Sequence, residues 1–73
     1  MIVTIAKKAY KMTKDQAENL LAVASEQVPL GVYAVRKGNH LEMRRDRCES
    51  KSQVKAIRKA FKSQGYKVYA NGI

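Results

Sequence analysis

Apolar positions along the chain recur with two periods, and the change from one to the other divides it into six segments. Ile2, Val3, Thr4 and Ile5 are β-branched and predict a first strand over Met1 to about Lys8, while Ala6 to Met12 fits the end of that strand or the start of a helix. Ala17, Leu20, Leu21, Ala24 and Val28 then follow at helical spacing. Thr13-Lys14-Asp15-Gln16 ahead of them has the form of a capping box, and Pro29 forbids the preceding residue a helical backbone, so a helix is predicted over Thr13 to about Gln27.

Leu30–Lys37 and His40 to about Arg45 read as the two strands of a hairpin around Gly38-Asn39. A two-residue loop would pair Arg36 with Leu41 and Ala34 with Met43, mixing charge into an apolar face. A three-residue loop, Lys37-Gly38-Asn39, would pair Val35 with Leu41 and Tyr33 with Met43 and gather the apolar residues together, so that register is the one expected. Ser50-Lys51-Ser52-Gln53 repeats the capping-box form, and Val54, Ile57, Ala60 and Phe61 make the stripe of a second helix over Ser50–Gln64, stopped at Gly65. Tyr66 to Ala70 alternates as a last strand, with Tyr66, Val68 and Ala70 on one side.

The resulting order, β-α-β-β-α-β, predicts an α+β fold of the ferredoxin-like, split βαβ kind: a four-stranded antiparallel sheet with both helices on one face. Seventy-three residues make one domain, which buries only roughly 60% of its unfolded surface. Such a core leaves little room for a deep substrate cavity.

Charge changes this picture more than composition does. Fifteen Lys and Arg face six Asp and Glu, a formal +9. Residues 1–35 carry a net +1 and residues 36–73 a net +8, and no acid follows Glu49. This asymmetry points to an anionic partner: DNA or RNA, an anionic membrane surface, or an acidic protein surface. On the second helix Lys51, Lys55, Arg58 and Lys62 recur at i, i+4, i+7 and i+11 and fall within about 60° of one another, with Lys59 alongside. Like charges at that spacing cost a few tenths of a kcal/mol per pair, a cost that bound phosphate would offset. Arg44, Arg45 and Arg47 form a second basic group suited to bidentate phosphate contact, with Glu42, Asp46 and Glu49 close enough in sequence to pair with them instead.

Candidate chemistry is otherwise sparse. His40 and Cys48 are single and resemble no catalytic dyad, and there is no glycine-rich phosphate loop or metal-ligand spacing, so neither an enzyme nor a cofactor or metal site is expected. The third strand lacks the aromatic positions of the RNA-recognition motif; Tyr33 and Tyr66 read as core, and Tyr69 as the aromatic best placed for exposure. One cysteine excludes a disulfide within the chain and fits a reducing compartment, and no apolar run approaches the ~20 residues of a membrane span, so a cytoplasmic protein without membrane contact is expected.

In size, charge and plain composition the chain resembles small single-domain proteins encoded by phages and prophages. That resemblance implies action by binding, in the host cytoplasm, on nucleic acid or on a host protein. Two functions follow as expectations. The first is a non-enzymatic nucleic-acid-binding domain with little sequence preference. It would use Lys51, Lys55, Arg58, Lys59 and Lys62, extended by Arg44, Arg45 and Arg47. The second is a protein-interaction module or inhibitor that docks on an acidic or nucleic-acid-processing host protein, with an unpaired edge strand open to homodimer formation.

Overall fold

A computed structural model describes residues 1–72. The chain forms β1 (Ile2–Ile5), β2 (Lys8–Lys11), α1 (Lys14–Gln27), β3 (Gly31–Lys37), β4 (His40–Arg47), α2 (Lys51–Ser63) and β5 (Lys67–Asn71). The strands make one five-stranded sheet in the order β2-β1-β4-β3-β5. All neighbours are antiparallel except β1 and β4, which are parallel, with Ile2 opposite His40 and Val3 opposite Leu41. The sheet is therefore mixed and five-stranded, not the expected four-stranded antiparallel one, and the ferredoxin-like order is not met.

The extra strand accounts for the change. The first apolar segment ends at Ile5, where Ala6 and Lys7 take positive φ of 50° and 69° and turn the chain back through a two-residue loop. Paired positive φ is the signature of a type I′ hairpin turn, which usually draws Asn and Gly. β2 then runs opposite to β1, so α1 connects β2, not β1, to β3. Both crossovers, β2-α1-β3 and β4-α2-β5, advance toward the same edge of the sheet along strands of opposite direction. Right-handed connections then place the two helices on opposite faces.

The side chains agree with this three-layer arrangement and correct the expectation of two helices on one face. On one side Ala17 of α1 packs with Val3, Ala34 and Leu41, all at most 1% exposed. Val35, next to Ala34 and equally buried, points the opposite way and is covered by α2, which packs on β3 and β5 and contributes the buried Val54.

The β3–β4 register is the two-residue one, with Lys37 opposite His40 and Arg36 opposite Leu41, not the expected three-residue loop. Gly38, at φ 59°, takes the first central position that a type II′ turn reserves for glycine. Arg36 sits at the rim and donates from Nε to the Gly38 carbonyl at 2.8 Å, which removes the objection to charge beside Leu41. Farther along, a register shift at Tyr33 rephases the sheet. Val32 pairs with Ala70 and Val35 with Val68, so two valines three residues apart both face α2. Tyr33 itself packs toward the α1 side, 6.3 Å from the Tyr69 ring.

The helix ends follow the sequence closely. Thr13 and Gln16 form the reciprocal capping box, at 3.0 and 3.2 Å. The far end of α1 is held from the sheet: the Asn71 amide donates to the Ser25 and Val28 carbonyls, and Arg47 donates to the Gln27 carbonyl.

Candidate nucleic-acid interface

α2 is set by its two ends. Ser50 caps the first turn by accepting from the Gln53 amide at 3.4 Å, while the Gln53 side chain accepts from the amide of Glu49, one residue before the position a capping box requires. At the other end the Tyr66 amide reaches the Phe61 carbonyl and the Gly65 amide the Lys62 carbonyl, a Schellman stop with Gly65 at φ 86°. The accompanying apolar contact is Tyr66 against Phe61, ring centroids 5.6 Å apart.

Val54 is buried and Ile57 and Phe61 are half-buried, and this stripe fixes the rotation of α2 on the sheet. Lys51, Lys55, Lys59 and Lys62 are exposed on one flank of it, with Arg58 half-buried at the boundary. Lys51 to Lys62 covers about 16 Å of helix axis, the rise of roughly five phosphates along one strand of a duplex. The helix has no acid, its first turn included. Among the described residues the ion pairs are those of Arg44 alone, so none of the five α2 cations is neutralised by a carboxylate.

The arginines of β4 do not act as one group. Neighbouring residues on a strand point to opposite faces. Arg44 turns toward α2, lies 4.8 Å over the Phe61 ring, and is clamped between Asp46 at 2.5 Å and Glu42 at 2.8 Å. Its hydrogen bond to Asp46, and then that to Glu42, raises its pKa above the ordinary arginine value, against the opposing effect of burial. Its charge is satisfied inside the fold. Arg45 and Arg47 are exposed, Arg45 beside α1 residues and Arg47 on the last carbonyls of α1. The structure therefore brings together Lys51, Lys55, Arg58, Lys59 and Lys62, sets Arg44 beneath α2 with its charge already paired, and places Arg45 and Arg47 on the α1 side.

No stacking platform for bases forms on the sheet. Tyr69 is half-buried against the α1 side, with Lys67 Nζ 5.2 Å above its ring, and Tyr66 carries Lys37 Nζ in the same way. The exposed tyrosine is Tyr10. His40 is exposed and hydrogen-bonded from Nε2 to Thr4 at 2.6 Å, and the half-buried Cys48 donates weakly to the Asp46 carbonyl. Among the described residues no three His, Cys, Asp or Glu side chains could hold a metal ion, and no helix is long and apolar enough to cross a membrane.

One basic constellation escapes sequence reading. Lys14, Arg36 and Lys67, with the one acid Glu18, border a cavity of about 340 Å³ on the α1 face, between Leu21 and Tyr69. They come from α1, β3 and β5, so only the folded sheet brings them near one another. No family model, no curated protein and no solved structure matches the chain.

Proposed function

We propose that this chain is a non-enzymatic nucleic-acid-binding domain that grips the phosphate backbone of DNA or RNA through the basic flank of α2, with little sequence preference. The observation that carries the reading is a helix with five cations on one flank, no acid along its length, and no carboxylate partner for any of them among the described residues. A solvated helix gains from mixed signs at i,i+4, and Lys51 also opposes the positive N-terminal end of the helix dipole. Phosphate oxygens relieve both costs. Lys55, Lys59 and Lys62 supply point charges, and Arg58 a planar fork for one phosphate. The absence of an exposed aromatic platform favours backbone contact over base readout.

Fluorescence anisotropy of labelled single- and double-stranded oligonucleotides tests this reading. With four or five phosphate contacts, affinity for duplex DNA should fall by about 10²–10³ between 50 and 200 mM salt. Lys55→Glu/Lys62→Glu should abolish binding at the higher salt with the circular dichroism spectrum unchanged. Binding that survives this double change removes α2 from the mechanism. A second reading, a module that docks on an acidic protein, draws on a different region, the open edge at β2.

A further inference from the structure

α1 packs over β3 and β4 and leaves the β1–β2 end of its own face largely uncovered. Two connected depressions of about 600 and 470 Å³ result, sharing Leu20 and Val23 as a wall. Ile5 and Met43 lie in the first, Tyr10 and Met12 in the second. Among the described residues the exposed large hydrophobic side chains, Tyr10 at 44% and Val23 at 53%, both belong here. Two such residues on facing walls of one groove are more than scattered surface apolarity.

The strand beside the groove is an open edge. β2 is terminal in the sheet, and all four of its residues are exposed. The Met12 amide donates to the Met1 carbonyl at 2.9 Å. Alternation along an antiparallel ladder then turns Tyr10 and Lys8 inward to β1 and leaves the N–H and C=O groups of Ala9 and Lys11 pointing out. The rim has one sign. Lys7, Lys8 and Lys11 border the edge and Arg45 closes the far end, and no carboxylate lines either depression. These lysines repel a second copy of β2 and attract a chain of opposite charge.

We propose that the β2 edge and its groove bind an extended, acidic, amphipathic segment of a partner protein, which adds to the sheet as a sixth strand. Its backbone pairs with Ala9 and Lys11. Alternate apolar side chains enter the groove against Tyr10, Leu20 and Val23, and its carboxylates, on the opposite face, meet Lys11, with Lys7 at the turn. Main-chain pairing supplies affinity and the alternating pockets supply selectivity. The surface is separate from the basic flank of α2.

The probe is a fluorescein-labelled octapeptide of alternating valine and glutamate, compared with its valine–lysine counterpart at physiological salt. The acidic peptide should bind at least tenfold tighter and slow amide hydrogen exchange at Ala9 and Lys11. Ala9→Pro removes an outward donor while sparing the β1 ladder, and should weaken binding at least tenfold. Lys7→Glu/Lys11→Glu leaves the backbone intact and should reverse the preference between the peptides. Lys55→Glu/Lys62→Glu on α2 should leave peptide binding unchanged, and Ala9→Pro should leave oligonucleotide binding unchanged, so failure of one reading is distinguishable from failure of the other. Equal binding of both peptides, or unaltered exchange at Ala9 and Lys11, overturns the proposal. So does protection of those amides in a micromolar dimer, or on phosphatidylserine vesicles, without peptide.

Discussion

The two helices cover opposite faces of one sheet and differ in almost every respect but length. α1 carries Lys14 against Asp15, Glu18 and Glu26, a net −2, while α2 carries five cations and no acid, a net +5. α1 is anchored by two small buried residues, Ala17 and Ala24, which let it lie close to the sheet, and α2 by one larger one, Val54. α1 has its last carbonyls held by side chains from the sheet, whereas α2 ends on its own backbone at Gly65. The contrast lies between the helices themselves, because Arg36, Arg45, Arg47 and Lys67 of the basic second half sit on the α1 side of the sheet.

The largest expected effect breaks that contrast directly. Reversing Lys55 and Lys62 should cost at least a hundredfold in oligonucleotide affinity, about 2.7 kcal/mol. Glu18→Lys/Glu26→Lys on α1, which adds the same charge difference with the opposite sign, should change affinity less than about threefold, because that face lies away from the α2 flank. Comparable gains from the α1 variant would mean that net charge, not the placement of α2, governs binding. Next, Val54→Ala should destabilise the fold by about 2 kcal/mol through lost methyl burial and a residual cavity, read by urea denaturation. Asn71→Ala, which cuts the tie from β5 to the end of α1, should cost about 1–2 kcal/mol and speed hydrogen exchange in the last turn of α1 more than anywhere in α2. The smallest effect concerns the hairpin that put the helices on opposite faces. Ala6→Gly should stabilise by up to about 1 kcal/mol, since glycine takes positive φ without strain.

How far the sequence foretold this is clearest at particular residues. Thr13, Pro29, Ser50 and Gly65 marked both helices to within a residue or so, because caps and breakers act locally. The β1–β2 hairpin was hidden because its turn is Ala6-Lys7, without the glycine or asparagine that announces a type I′ loop. Missing that one reversal also lost the parallel β1–β4 pairing and the placement of the helices. The β3–β4 register differs from the expected one because Arg36 satisfies its charge at the rim on the Gly38 carbonyl, so charge sits near the turn, and the shift at Tyr33 lets apolar residues regain phase beyond it. The α2 flank was legible from spacing alone. The split among Arg44, Arg45 and Arg47 was available in principle from odd–even alternation, which also sets Arg44 beside Glu42 and Asp46. The groove at β2 was not, since it depends on where α1 settles across strands brought in from distant parts of the chain.

The β1–β4 ladder carries a consequence for how the molecule assembles. It joins Ile2 to His40 and Thr4 to Glu42, and the β3–β5 ladder, Gly31 to Asn71 and Arg36 to Lys67, is equally non-local, whereas the β3–β4 hairpin closes over a short stretch of chain. During synthesis the first hairpin to emerge has no sheet to join until β4 has been made, and closing so long a loop is slow compared with forming a hairpin or a helix. The segment from Met1 to Met12 should therefore dock only once the β3–β4 hairpin offers β4 as its partner. Its exposed β2 edge would join the sheet only after β3 and β4 have paired, so a partner strand would meet it on a sheet whose centre is already in place.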